Sequence, residues 1–163
     1  MPLLAPTLAS ELEAMVPVGT EVEAINNFVG AWEGYFANAS VAGVPTTAGS
    51  LTAAATAMRG ALVGMSSAGA GATALQAGIT AFWGAVVGSA ATIWVLAPPV
   101  TSATPPPGLG GMGVALEAAF LANINGGLSL TASVTNIANV LHPLQIGGIA
   151  VQTGAPPVNI PIL

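Results

Sequence analysis

No lysine, aspartate or cysteine occurs in this chain of 163 residues, and arginine and histidine occur once each, as Arg59 and His142. Each absence excludes something. Neutralising phosphates takes several basic side chains, and one arginine against six glutamates, for a net charge of −5, argues against a nucleic-acid partner. Without cysteine there is no disulfide framework and no thiolate metal site, so the redox compartment stays open. Charged residues amount to 4%, where a soluble domain ordinarily has about 25%. Nor is there a basic segment at the N-terminus, where Glu11 and Glu13 interrupt any apolar run, so no signal peptide is expected.

What the chain does have is an uncharged centre. No acidic or basic residue occurs from Gly60 to Leu116, while five of the six glutamates fall between Glu11 and Glu33. The length fits one domain. Leu8, Leu12 and Met15 mark a short first helix stopped near Pro17. Thr20 and Glu23 then match a T-x-x-E capping box, with Glu21 and Glu23 at the positive end of the next helix dipole. Val22, Ile25, Val29, Trp32 and Phe36 follow at alternating spacings of three and four, an amphipathic helix. Leu51, Ala55, Met58, Leu62 and Met65 predict a third over 48–65, and Ala72 to about Leu96 reads as one long apolar fourth helix.

Five prolines in APPVTSATPPPG predict an extended polyproline linker over 97–110. A fifth helix is expected near 111–123, ended by the glycines of INGG, and a sixth near 129–141. The remainder reads as a non-helical tail with a brief strand at 149–153. No repeat of fixed period is visible. These elements predict an all-α fold: a compact bundle of five to six helices over 1–142, followed by an extended C-terminal arm over 143–163.

Motifs that could carry chemistry are few. Gly108–Gly113 spells G-x-G-x-x-G, but prolines precede it and Glu117 lies too close to serve as the ribose-binding acid, so a flexible helix start is expected. Ser66 lacks the second glycine of a nucleophile elbow. His142, before Pro143, reads as a helix C-terminal cap rather than a metal ligand. Glu21 and Glu23 point to different faces of a helix, which suits capping better than paired acid–base work. Arg59 is expected to pair with Glu33 or Glu117. Trp32-Glu-Gly34 spells W-x-G, yet it falls inside an amphipathic run rather than at a turn between helices, and Asn38-Ala-Ser40 is a glycosylation sequon in form only. No catalytic residue, cofactor or metal is expected.

The long fourth helix has three possible surroundings. A membrane is one: the segment exceeds the roughly 20 residues needed to span, and it carries Gly84-x-x-x-Gly88, echoing Gly60-x-x-x-Gly64 upstream. Against it stand the Ala, Gly, Ser and Thr content, the lack of flanking basic residues and the mid-segment position of Trp83. Protein neighbours are the second, because small residues on several faces let helices approach closely. The third is an apolar interior that holds a small molecule.

Read together, APTLASELEAM, INNFVGAWEGYF, the run AGITAFWGAVV through TIWVLAPPVTSATPPPGL, and the closing PIL resemble small Ala/Gly-rich structural proteins of tailed bacteriophages, particularly contractile-tailed ones. The resemblance implies a non-enzymatic virion or tail component whose partners are copies of itself and other virion proteins. The residues expected at its assembly interfaces are Trp32, Tyr35, Gly60, Gly64, Phe82, Trp83, Gly84, Gly88, Trp94, Ile162 and Leu163. The alternative expectation is a membrane-active helical oligomer, holin-like or pore-forming.

Overall fold

In a computed structural model, residues 3–15, 19–65, 70–145, 147–153 and 158–162 are described. Six α-helices account for most of the chain, and 64% of the described residues are helical, but two small antiparallel sheets accompany them. The expected all-α class is therefore corrected to a helical domain with a minor β component.

Helix α1 (Ala5–Glu13) buries Leu8 and Leu12. The stop expected at Pro17 lies outside the described residues. Thr20 caps α2 (Glu21–Phe36): its hydroxyl accepts from the Glu23 N–H at 3.3 Å and donates to the Glu23 carboxylate at 2.7 Å. The capping pair forms, with the glutamate meeting the hydroxyl in place of the Thr20 backbone. The buried face carries Ile25, Phe28, Val29, Trp32, Tyr35 and Phe36, while Val22, expected on this stripe, is exposed.

A two-stranded hairpin, β1 (Ser40–Val41) with β2 (Val44–Pro45), leads to α3 (Thr52–Ala61). This helix is shorter than its apolar period suggests. Gly49 at φ +75° precedes it and Gly64 at φ +89° follows, both in the left-handed region that glycine enters without a Cβ penalty. Gly60 and Gly64 therefore do not share a helix, which removes the first G-x-x-x-G as a packing motif.

Helix α4 (Gly71–Ile93) is the centre, packed against α3, α5 and β3. Leu75, Ile79, Phe82, Trp83, Val86, Ala90 and Ile93 recur at helical spacing and are all buried. Beyond it the expected polyproline linker is corrected. Prolines flank the stretch Val100–Thr104 but do not enter it, and this proline-free VTSAT, rich in β-branched residues, forms strand β3. A 3-10 turn over Pro107–Gly111 delivers the chain into α5 (Met112–Gly126), which ends at Gly127 in the left-handed conformation (φ +58°).

Helix α6 (Leu130–Gln145) runs through Pro143 instead of stopping at Leu141. The missing proline N–H falls in the last turn, where the helix is held from below by buried Leu141 and Gln145. The tail also departs from the extended arm expected over 143–163, because it pairs with strands of its own chain. Strand β4 (Ile149–Gln152), at the place read as a brief strand, pairs antiparallel with β3 on one side and with β5 (Val158–Pro161) on the other. Ile162 then bridges to Val41 of the hairpin, and its N–H donates to the Gly148 carbonyl at 2.8 Å, closing the C-terminal segment onto the domain.

Candidate functional site

The aromatic residues expected at subunit interfaces lie inside the chain's own core. Trp32, Tyr35, Phe82, Trp83 and Trp94 are all fully buried. They form one cluster around Phe36, whose ring meets Phe82 at 5.0 Å and Trp83 at 5.1 Å, both edge-on, and Trp94 at 6.3 Å. Edge-to-face geometry sets the positive rim of one ring against the negative face of another. Their apolar area is already removed from water within one copy, so they are not available to a neighbour. Ile162 is buried too, and Leu163 lies outside the described residues.

Two polar clasps tie α6 to this core. The Trp83 indole N–H donates to the Gln145 side-chain carbonyl at 2.6 Å in a buried setting. The Gln145 amide nitrogen and the indole nitrogens of Trp32 and Trp94 are buried with no hydrogen-bond partner among the described residues. The second clasp joins Tyr35 Oη to His142 Nδ1 at 2.9 Å. Burial pushes the Tyr35 phenol above its ordinary range, so it stays neutral, and which of the two groups donates follows the tautomer of His142. Burial also holds His142 below its ordinary value. The histidine is thus a partner of the core tyrosine within the last turn, not the terminal cap expected.

Burial of His142 makes stability depend on pH. The folded chain binds the His142 proton less readily than the unfolded chain does, so the unfolded state gains protons first as pH falls. Stability from this group is complete above the ordinary histidine value of 6.5 and declines as pH drops below it. The melting temperature should therefore begin to fall as pH drops below about 6.5, before carboxylates titrate. His142→Gln should flatten that segment of a thermal-denaturation profile.

Elsewhere polar side chains serve structure. Gln76, on α4, donates to the Gly110 carbonyl at 3.3 Å and accepts from the Gly113 N–H at 2.7 Å, pinning the entry to α5. A strand does precede the G-x-G-x-x-G segment, but it belongs to an antiparallel sheet. A Cβ at Gly108 would meet Leu144 and one at Gly113 would meet Gln76, so these glycines serve helix packing. Arg59 pairs with Glu33 at 3.8 Å and donates from Nε to Asn26 Oδ1 at 3.2 Å, in a part-exposed site. The Glu21 carboxylate accepts from the Gly64 N–H at 2.5 Å. Gly34 of W-x-G lies inside α2, against the Glu11 side chain. Ser66 lies outside the described residues. No group of three or more His, Asp or Glu side chains comes together among the described residues.

The outer surface distinguishes this molecule. Along α4 the exposed positions are Thr73, Ala77, Thr80, Gly84, Gly88, Ala91 and Thr92, all small. Gly84 and Gly88 sit within the helix, yet a Cβ at either would meet nothing within 4 Å, and the same holds for Gly60 on α3. Gly78, on the inner face of the same helix, is different: a Cβ there would lie 2.7 Å from Leu62. Helix α5 adds the exposed apolar residues Val114, Leu121 and Ile124.

Gln76 and Gln145 are the residues that sequence reasoning missed. Their signal is faint but real: each is a lone amide among apolar neighbours, and such an amide, once buried, must find a partner. Comparison with known protein families, curated proteins and solved structures returns no match to this chain.

Proposed function

We propose that this chain is a non-enzymatic structural subunit that assembles with copies of itself and with other structural proteins, through helix faces made of small residues. One observation carries the reading: helix-interior glycines on an outer face that serve nothing within the chain. A glycine inside a helix costs about 0.8–1.0 kcal/mol relative to alanine. At Gly78 the close approach of Leu62 offsets that cost, whereas Gly84 and Gly88 have no such return inside one copy. Approach by a neighbouring helix supplies it. A surface nearly free of charge adds support, because neighbours on several sides remove the need for solvating side chains. The resemblance to structural proteins of tailed bacteriophages makes a virion or tail the proposed setting.

Sedimentation velocity over a concentration series tests this reading. Assembly predicts species several times the 15.8 kDa of one chain. A single 15.8 kDa species at every concentration and salt level would contradict it.

A second reading, the membrane-active oligomer, has its own observation. Gly71–Ile93 and Pro107–Gly126 are both long and apolar enough to cross a bilayer, and only 22% of the apolar window of the second is buried. For α4 the support is weaker, because Phe82, Trp83, Val86 and Ile93 would have to leave the core that they fill. A carbonate-resistant membrane fraction would favour this reading over the first.

A further inference from the structure

With no cysteine in the chain, methionine is its only sulfur-bearing residue, and the fold divides the described methionines into two pairs. Met58 and Met112 are fully buried, each at 0% exposure. Met15 and Met65 are half-buried: both pack against the core, and both line the same open groove of about 380 Å³. That groove lies where α1 and α3 finish and where α2, α4 and α6 begin. Met15 follows the end of α1 and Met65 follows the end of α3. Each is held to the turn before it by its own N–H, which donates to the Leu12 carbonyl at 3.3 Å and to the Leu62 carbonyl at 3.0 Å respectively.

The chemistry of this opening suits a thioether and nothing more polar. No side chain lining the groove carries nitrogen or oxygen, and Phe28 and Phe120 are among its walls. An unbranched thioether is apolar and fills irregular space beside aromatic rings. Hydrogen peroxide changes that character by giving one oxygen atom to the sulfur. The peroxide O–O bond breaks, an S–O bond forms, and the second oxygen leaves with both hydrogens as water. Sulfur is oxidised and peroxide is reduced. The resulting sulfoxide is a polar acceptor. No lining side chain can donate to it, so keeping it in the groove costs its hydration, and turning it out to solvent withdraws the side chain from its packing.

We propose that Met15 and Met65 form a paired oxidation site, at which peroxide converts both thioethers to sulfoxides and loosens the ends of α1 and α3 from the bundle. The change is reversible, because methionine sulfoxide reductases return each sulfoxide epimer to the thioether. The inference is independent of assembly through the outer face of α4, since neither Gly84 nor Gly88 lines this groove.

The test exposes the whole chain to dilute hydrogen peroxide at neutral pH and locates oxygen uptake by peptide mass mapping over time. Met15 and Met65 should gain oxygen at least about tenfold faster than Met58 and Met112, whose exposure requires the core to open. The doubly oxidised chain should melt lower by about 5 °C and recover after treatment with both reductases. The double variant Met15→Leu, Met65→Leu, which conserves volume, should melt near the wild-type temperature and lose the response to peroxide. Should that variant not fold, each single leucine variant should keep only part of the shift. Uptake at Met58 or Met112 as fast as at Met15 and Met65 would overturn the proposal, as would an oxidised chain that melts like the untreated one. A full peroxide response in the leucine variants would overturn it too. So would protection of Met15 and Met65 that disappears when an assembled wild type is dissociated, which would assign the groove to an interface.

Discussion

Trp83→Ala should destabilise the fold by about 3–5 kcal/mol, the range for emptying a large aromatic site. Three independent contacts meet at this residue. Its ring lies edge-on to Phe36 at 5.1 Å, and its outer edge sits so close to Gly148 that a Cβ there would be 2.9 Å from Cη2. Its N–H is the partner of Gln145, whose amide nitrogen already has none among the described residues. Truncation thus opens a cavity and leaves the whole Gln145 amide unpaired. A single domain is stable by about 5–15 kcal/mol, so the loss is a large share of the total. Trp83→Phe separates the terms: it keeps most of the ring contact, loses the hydrogen bond and should cost about 1–3 kcal/mol. Adding Gln145→Leu to Trp83→Phe should recover part of that, because an apolar side chain then replaces the orphaned amide. Urea denaturation of the four proteins measures each step.

Gly78→Leu should be the second most damaging change. The new side chain would begin within 3 Å of Leu62 Cδ2 and Cγ, on the surface where α4 packs against α3. Overpacking of this kind costs about 1–3 kcal/mol, and more where backbone must move. Leucine's better helix propensity returns up to about 1 kcal/mol, so the net effect is destabilising. Thermal melts compared with Gly78→Ala grade the clash. The same substitution at Gly84 meets open space and keeps the propensity gain, so two glycines on one helix should respond with opposite signs.

The helices were legible because their apolar residues repeat at the helical period. The stripe on α2, apart from the exposed Val22, and the Thr20–Glu23 cap are local signals, and both formed. Periodicity reports that a face is buried but not against what, so it could not tell that Trp32, Phe82, Trp83 and Trp94 face their own domain. Five prolines concealed β3, because what decides that segment is pairing with a strand far along the chain, Val100 with Gln152 and Thr104 with Ile149. The brief strand at 149 was visible locally, and its two partners were not. Pro143 marked a helix end that buried Leu141 and Gln145 override. Glycines posed the hardest problem: Gly78 and Gly84 look alike in sequence, and only the neighbouring side chains separate a packed glycine from an open one.

That Gly84 and Gly88 serve a neighbouring copy is tested most directly by sedimentation velocity of the wild type beside Gly84→Leu and Gly88→Leu, with melting temperatures taken on the same samples. The prediction is a loss of assembled species in both variants, accompanied by melting of the single chain at the wild-type temperature or higher. Variants that assemble like the wild type, or lose assembly only because the chain unfolds, would contradict it.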